Sequence, residues 1–194
     1  MCGIAGVVGS CPPQQLQAMA NKMSHRGPDN LSVLSFGNIH LAHARLSIID
    51  LSPHSNQPLW DIKRKSCIVF NGEIYNYKAL RDELVTLGYT FVSDGDVEVI
   101  VNLYLHYGIA CLEKLNGIFS FALWDTRSSE LLLVRDPFGV KPLYYTEAQD
   151  GFYFSSEMKS LLVNPNIARE LNYDAIFRSL VFLWSPGPET VLAN

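Results

Sequence analysis

The first residue that could carry out chemistry is Cys2, which directly follows Met1. A thiolate is a strong nucleophile, but a free cysteine has a pKa of about 8.5 and is only slightly ionised at neutral pH. If Met1 is removed, Cys2 also carries an α-amino group, whose pKa of about 7.7 to 8.0 suits a base. The N-terminus therefore predicts a nucleophile with its own base. A small buried cysteine at the start of a strand is the competing interpretation.

A second candidate is the pair Asn71 and Gly72 in the segment IVFNGEIYNY. Attack of a thiol on an amide creates an oxyanion, and a side-chain amide beside an unhindered backbone N–H can hold that charge. Asn-Gly is also the strongest short turn signal. Considered alone, the pair favours a turn, and its role as an oxyanion hole depends on the rest of the chain.

Arg45 lies within the otherwise apolar run LAHARLSIIDL. A buried guanidinium needs a carboxylate partner, which it can bind through two hydrogen bonds. That partner is either an acid of the protein or the α-carboxylate of a bound amino acid, and the residue alone does not decide between them. His40 and His43 are an odd number of residues apart on one strand and point to opposite faces, so we predict no metal site.

Three acids, Asp94, Asp96 and Glu98, mark the start of a helix in the segment VSDGDVEVI. Acids are favoured at this position because they cap the helix and interact well with its dipole. A carboxylate at a helix start can also receive the ammonium group of a ligand. The segment alone is explained by capping.

The strands that would position these residues are apolar on both faces, as in GIAGVVG, CIVF, GIFSFALW and ELLLV. Both faces must therefore be covered. The connections are too short for helical crossovers, and the Asp-Gly of EAQDGFYF predicts a hairpin, so the sheets are mainly antiparallel. Four amphipathic helices are predicted, with these stripes: Leu16, Met19, Ala20 and Met23 after Pro12 and Pro13; Leu80, Leu84 and Leu87 after Asn76 and before Gly88; Ile100, Leu103, Tyr104 and Tyr107 before Gly108; and Phe177, Leu180, Val181 and Trp184 between Asn172 and Pro186. The pattern predicts an α+β fold, a four-layer αββα sandwich of two stacked sheets.

Composition excludes several classes of function. The 194 residues are 48% hydrophobic and 18% charged, with a net charge of -4, which is typical of a globular protein without affinity for nucleic acid. The basic cluster from Lys63 to Lys65 is predicted to be a hairpin turn. No apolar run approaches the roughly 20 residues that cross a membrane, and no secretory signal is evident. We expect a cytoplasmic protein whose four cysteines are reduced.

Eight segments considered together carry a family resemblance: CGI, SHRGPD, ARLSIIDL, NGEIYNY, SDGDVEVI, LNGIFSFALWD, RDPFGVKPLYY and SSEMKSLL. In this order, from Cys2 to Leu162, they resemble the class II glutamine amidotransferase domain of glutamine-dependent asparagine synthetases. SHRGPD and RLSIID are similar to this branch and differ from the sugar-phosphate and phosphoribosyl branches. The family consists of N-terminal nucleophile hydrolases, so the resemblance implies the same αββα sandwich.

The resemblance also implies roles for individual residues. Cys2 matches the nucleophile, with its own amine as general base once Met1 is removed. Asn71 and Gly72 match the oxyanion hole, and Arg45 matches the arginine that binds the α-carboxylate of glutamine. The implied activity is hydrolysis of L-glutamine to glutamate and ammonia.

Glu73 and Asp96 match the acceptors for the α-ammonium group. Asp96 is preferred to Asp94 because the family motif has its acid two residues before the glutamate of EVI, here Glu98. The resemblance implies that main-chain groups of four further residues line the glutamine pocket: Leu46, Ser47, Ile48 and Ile49. It implies structural roles for Arg26, Asp29, Arg135 and Lys141.

The domain boundaries follow from the same resemblance. Residues 2–162 match the glutaminase domain, and residues 163–194 are predicted to form a helix and a linker to a synthetase domain. The family's SGGxDS loop, which binds ATP, is absent here, so we expect the sequence to be part of a longer protein. ATP and Mg²⁺ are expected only for that synthetase domain, and no cofactor for the glutaminase domain.

Two alternatives remain open from the sequence. The domain is a catalytically silent glutamine-binding module if Met1 is retained, because a retained methionine blocks the amine that acts as base. Alternatively, the ammonia is delivered to a carboxylate other than aspartate. The sequence is compatible with a homodimer and does not specify one.

Overall fold

The computed structural model describes residues 1–185 and 187–193, which form two antiparallel sheets with helices on their outer faces. The strands are β1 (Gly3–Gly9), β2 (Asn30–Phe36), β3 (Ile39–Arg45), β4 (Leu59–Trp60), β5 (Ser66–Ile74), β6 (Gly117–Asp125), β7 (Glu130–Arg135), β8 (Tyr144–Ala148) and β9 (Gly151–Ser155). The helices are α1 (Pro13–Asn21), α2 (Tyr77–Thr86), α3 (Val97–Tyr107), α4 (Met158–Leu161) and α5 (Tyr173–Phe182). Short 3₁₀ helices span Pro53–Ser55 and Gly108–Lys114.

Sheet A has the strand order β2-β3-β1-β9-β8, and sheet B has the order β4-β5-β6-β7. The core between the sheets is built from both of them, with Ile4, Leu41 and Phe154 of sheet A packing against Val69 and Ala122 of sheet B. A second core joins sheet A to α1 and α4, and a third joins sheet B to α2 and α3. The predicted four-layer αββα sandwich is confirmed, because strands that are apolar on both faces pack between a second sheet and a helical layer.

The predicted helix ends are correct in most cases. Asn172 caps α5 by accepting a hydrogen bond from the Ala175 N–H at 3.0 Å, and Gly108 ends α3 with φ of 59°. Asn76 occupies the N-cap position of α2, as its place before the apolar stripe predicts, but its side chain makes no capping hydrogen bond. Its side chain instead donates to the Lys114 carbonyl and accepts from the backbone N–H of Asn116, so it ties the start of α2 to the end of a distant 3₁₀ helix.

The apolar stripe predicted for α5 faces no core in the described part of the chain. The helix ends at Phe182, with Leu183 in the left-handed conformation, so Trp184 lies beyond it. The side chains of Phe177 and Leu180 are exposed. Pro186, predicted to stop this helix, lies outside the described residues. Within residues 1–185 and 187–193, no helix combines the length and apolarity that crossing a bilayer requires.

Strand pairing brings the candidate chemistry to one end of the sandwich. Gly3 pairs with Ala44, which places Cys2 beside Arg45 and the residues that follow β3. The end of β5 and the start of α3 lie at the same edge, where the Asp96 carboxylate accepts a hydrogen bond from the Ile74 N–H at 3.0 Å.

Candidate active site

A pocket of about 130 Å³ opens at this end of the sandwich. It contains every residue that the sequence assigned to the site: Cys2, Arg45, Leu46, Ser47, Ile48, Ile49, Asn71, Gly72, Glu73 and Asp96. These residues come from both sheets, from the loop after β3 and from the start of α3. The fold therefore brings together segments that are up to 94 positions apart in the chain.

Cys2 is half-buried in this pocket, with its Sγ between the backbone groups of Leu46. The Leu46 N–H donates to Sγ at 3.4 Å, and the Leu46 carbonyl lies 3.6 Å from Sγ. Arg26 fixes the Cys2 carbonyl through its Nε at 2.8 Å. Burial raises the pKa of the Cys2 thiol, although the Leu46 hydrogen bond and the positive charges of the N-terminus and Arg45 oppose this. The thiol is therefore protonated at neutral pH and needs a base to become a nucleophile.

Asn71 is the most unusual polar residue of the pocket. It is 1% exposed, and neither its Nδ2 nor its Oδ1 has a hydrogen-bond partner among the described residues. A buried amide without partners costs free energy. Its side chain is therefore available to a ligand atom that enters the pocket.

Gly72 lies inside β5, which continues to Ile74, so the turn that the Asn-Gly pair favours when considered alone does not form. A Cβ at position 72 would lie 2.3 Å from the Ile118 carbonyl oxygen of β6. No side chain fits that space, so glycine is required by the close approach of β6. The Asn-Gly pair is thus a strand feature at the edge of a pocket.

Arg45 is buried at the end of β3 and is held entirely by uncharged oxygens. It donates to the Ser52 carbonyl at 2.9 Å, to Asn56 Oδ1 at 2.6 Å and to the Asp50 carbonyl. Within the described part of the chain, no carboxylate forms an ion pair with it. The sequence left two partners open for Arg45, an acid of the protein or the carboxylate of a ligand. The described residues do not supply the first of these.

The carboxylate of Asp50 braces the loop that surrounds Arg45. It accepts hydrogen bonds from the Ser52 N–H, the Ser55 hydroxyl and the Asp94 N–H, each at 2.7 to 2.9 Å. Burial alone would raise the pKa of Asp50, but these donors more than offset it and hold the pKa well below its usual range. Asp50 is thus charged and fully occupied.

The three acids near the start of α3 behave differently from one another. Asp94 is exposed and pairs with Arg81 at 3.3 Å. The Glu98 carboxylate accepts from the backbone N–H of Ser93 at 2.8 Å. Ser93 precedes α3 and no described side chain caps this helix, so the prediction that these acids cap it was wrong. Asp96 faces the pocket. Its pKa is raised to about 6, chiefly by burial and also by the charge of Glu73, while the Ile74 N–H opposes the shift. A cation beside Asp96 would be favoured.

The residues assigned structural roles contact the walls of the pocket. The Asp29 carboxylate accepts from the Ser47 N–H at 2.7 Å, and Arg135 donates to the Lys141 carbonyl at 2.7 Å. Lys141 itself lines the pocket. Sequence reasoning did not assign several other lining residues to the site: Met1, Asp50, Ser55, Gln57, Phe70, Gly95, Val97 and Lys141. Gln57 carried no signal, because an isolated glutamine in a loop is indistinguishable from a surface residue.

His40 and His43 point to opposite faces of sheet A, as predicted. His40 contacts Ser35 Oγ and the Gly9 carbonyl, whereas His43 contacts the Phe70 carbonyl of sheet B. Across residues 1–185 and 187–193, no three side chains of the metal-binding types are clustered closely enough to hold an ion.

The fold defines the class. The glutamine phosphoribosylpyrophosphate amidotransferase from Bacillus subtilis, solved with ADP and GMP, superposes with a TM-score of 0.74 over 88% of this chain and 45% of its own. At 20% identity this likeness establishes the shared fold.

The sequence defines the family. A family model described as "Glutamine amidotransferase domain" matches residues 1–194, and the chain belongs to this family. Asparagine synthetase [glutamine-hydrolyzing] 1 of B. subtilis is 40% identical over 100% of this chain and 32% of its own length. Asparagine synthetase [glutamine-hydrolyzing] 2 of the same organism is 38% identical over 96% of this chain and 25% of its own. The chain thus spans between a quarter and a third of these relatives.

Proposed function

We propose that this domain hydrolyses L-glutamine to glutamate and ammonia, with Cys2 as the nucleophile. The observation that carries the proposal is the convergence of three groups on one pocket, in a chain of the glutamine amidotransferase family. They are a thiol, an amide without a hydrogen-bond partner among the described residues, and a guanidinium that forms no ion pair with them. Glutamine offers a matching set of groups: an amide to be attacked, a carboxylate and an ammonium.

Each end of glutamine has a complementary charge in the pocket. Arg45 binds the α-carboxylate, and Asp96 with Glu73 binds the α-ammonium. The main chain of residues 46–49 lines the space between them. Ligands that lack either charged group would leave a buried charge unpaired, which is a strong basis for specificity.

The reaction begins after removal of Met1, when the α-amine of Cys2 takes the proton from Sγ. The thiolate attacks the side-chain amide carbon, and the resulting oxyanion accepts hydrogen bonds from Asn71 Nδ2 and the Gly72 N–H. The ammonium of Cys2 then donates its proton to the leaving nitrogen, and ammonia departs. Water, deprotonated by the same amine, breaks the γ-glutamyl thioester, which yields glutamate and restores the thiol.

In the longer protein, we propose that this ammonia converts activated aspartate to asparagine. The names and greater lengths of the relatives support this. ATP and Mg²⁺ would be used by the additional synthetase domain, and we assign no cofactor to the glutaminase domain. The net charge, and the lack of a membrane-crossing helix in the described part of the chain, fit a cytoplasmic protein without nucleic-acid partners.

The alternative that the sequence left open is a silent glutamine-binding domain, in which Met1 is retained. Met1 lines the pocket, and its Sδ lies 3.4 Å from Lys141 Nζ. With Met1 in place, the amine next to the thiol is a peptide nitrogen and has no basic lone pair. Glutamine binding would then persist without hydrolysis.

The test is glutamate release from L-glutamine by the protein, with intact mass recorded on the same sample. We expect turnover by protein that has lost Met1, abolished in Cys2→Ala. Cys11→Ala is the matched control, because Cys11 is buried and lies outside the pocket. Turnover that survives in Cys2→Ala would overturn the proposal. Binding without turnover in protein that retains Met1 would favour the silent module, and binding without turnover in protein lacking Met1 would count against the proposed hydrolysis.

A further inference from the structure

Among the residues that the structure describes, the pocket end of β5 has a neighbouring strand on only one side. β6 follows β5 along its whole length, whereas β4 pairs with it only as far as Ile68. In an antiparallel ladder, the backbone groups of alternate residues point to the same side. Those of Phe70, Gly72 and Ile74 therefore project from the unpaired edge, toward the loop after β3 and the pocket.

Two buried side chains take the place of a strand at Phe70. Gln57 Oε1 accepts a hydrogen bond from the Phe70 N–H at 2.6 Å, and His43 Nε2 lies 3.1 Å from the Phe70 carbonyl oxygen. A carbonyl can only accept, so His43 carries its proton on Nε2. Gln57 is 5% exposed and His43 is 0% exposed. The two contacts form the Phe70 clamp, which fixes the peptide groups on both sides of this residue.

The next residues on this edge explain what the clamp positions. Ile74 is held by Asp96, two residues beyond Gly72. Gly72 lies between these two anchors, with its N–H directed to the pocket, and Asn71 directly follows the clamped carbonyl. The clamp and the Ile74 contact thus bracket the Asn71–Gly72 pair from both ends.

We propose that His43 and Gln57 are positioning residues for the oxyanion hole. They hold the Phe70 peptide so that Asn71 Nδ2 and the Gly72 N–H point at the oxygen of the amide under attack. This inference rests on the proposed glutaminase function. Its physical basis is that hydrogen-bond donors stabilise a transition state only when they are held in place before the reaction.

The environment of His43 suits this task. Burial lowers its pKa to about 4, although the contact with Phe70 opposes the shift, and the charge of Arg45 lowers it further. The ring is therefore neutral at pH 7, with one N–H for the Phe70 carbonyl. Its Nδ1 has no partner among the described residues, so the contact with Phe70 is its sole side-chain hydrogen bond there.

The test compares variants that remove a clamp contact with one that retains it. His43→Phe removes the donor, Gln57→Met removes the acceptor, and His43→Gln keeps an N–H near the position of Nε2. Misplaced donors slow catalysis strongly, so His43→Phe and Gln57→Met should each lower kcat by about 10- to 100-fold, with KM within about two-fold. His43→Gln should keep most of the parental kcat, because it retains a donor for the Phe70 carbonyl.

His40→Phe is the matched control, because His40 lies on the same strand, is 9% exposed and contacts only groups outside the pocket. It should lower stability while kcat is retained. The inference is overturned if folded His43→Phe keeps the parental kcat, or if His43→Phe raises KM without lowering kcat. It is also overturned if His40→Phe lowers kcat as much as His43→Phe does. Should His43→Phe fail to fold, Gln57→Met decides by the same criteria. Turnover that survives in Cys2→Ala would instead overturn the proposed function itself.

Discussion

Two buried polar side chains at sheet B differ in how many hydrogen bonds they form. Asp136, in the loop after β7, is 3% exposed, and its carboxylate accepts from the backbone N–H groups of Phe119, Phe138, Val140 and Lys141 at 3.1 to 3.2 Å. Asn71, in β5, is equally buried and has no side-chain partner in the described part of the chain. Both side chains are almost completely buried, so burial alone does not distinguish them.

Polar groups that stabilise the fold can therefore be separated from those that face a ligand by counting their hydrogen bonds. A saturated acid such as Asp136 compensates its own desolvation through backbone donors. An unsaturated amide such as Asn71 destabilises the empty protein and becomes useful only when a substrate atom supplies the missing contact. Each residue should therefore affect either stability or catalysis, but not both.

Asn71→Ala is the strongest test of this contrast. We expect kcat for glutamate release to fall by about 100- to 1,000-fold, the usual effect of losing one oxyanion donor. The free energy of unfolding should change by less than about 1 kcal/mol, because no hydrogen bond of the empty protein is lost. Kinetics and urea unfolding on the same protein check both. A variant that unfolds readily and still turns over would contradict the contrast.

Asp136→Asn should give the reverse result. An amide in place of the carboxylate presents its NH₂ group to backbone donors, so we expect a loss of about 3 kcal/mol in stability with kcat and KM nearly unchanged. Burial alone would raise the pKa of Asp136, but the four donors outweigh it and lower the pKa. The stability it contributes is therefore present above the usual aspartate pKa and is lost as pH falls below it. Urea unfolding at several pH values measures this, and a pH-independent difference would refute the explanation.

Arg45→Ala should raise the KM for glutamine by about 10- to 100-fold, because a charge-assisted bond to the α-carboxylate is worth about 1.5 to 3 kcal/mol. The effect on kcat should be smaller. Arg127→Ala is a suitable control, because Arg127 pairs with Asp125 away from the pocket. An unchanged KM in Arg45→Ala would rule out the carboxylate role.

Asp96→Asn should have the smallest effect of these substitutions, a gain in stability that depends on pH. The folded pKa of about 6 lies above that of an unfolded aspartate, so ionisation of Asp96 disfavours folding. That cost is full above about pH 6 and disappears as pH falls toward the unfolded pKa. The variant should therefore be more stable by about 2 kcal/mol at pH 7.5, with the gain shrinking in acid.

The same titration should appear in substrate binding. For the parental protein, KM should rise between pH 7.5 and pH 5, because protonated Asp96 no longer attracts the α-ammonium group. Asp96→Asn should have a high KM throughout, with this dependence removed. Glutamate-release kinetics over this range make the comparison, and parallel profiles for the two proteins would exclude Asp96 as the titrating group.

Much of the architecture could be predicted from local patterns. Runs such as GIFSFALW are apolar on both faces, which requires two covering layers, and helix stripes such as that of Leu16 and Met19 indicated what covers them. The site residues Cys2, Arg45 and Asn71 were found from their chemistry and from the order of family motifs. Their glutaminase roles stay predictions until turnover is measured.

Other features could not be predicted because they depend on contacts between distant segments. Asn71 and Gly72 read locally as a turn, and only the pairing of β5 with β6 keeps them in a strand. Asn76 read as a helix cap, yet its side chain bonds to residues nearly 40 positions away. The apolar stripe of α5 predicted a buried face, yet Phe177 and Leu180 are exposed and no described residue covers them.

Local patterns in the chain were enough to predict the layers of this protein, its candidate nucleophile and its family, because hydrophobic periodicity and motif order are properties of the chain. Tertiary structure alone decided which buried polar groups are satisfied. Asp136 finds four donors, Arg45 finds only neutral oxygens, and Asn71 finds nothing among the described residues. Hydrogen bonding depends on distances of about 3 Å between segments far apart in the chain, and no local pattern encodes them.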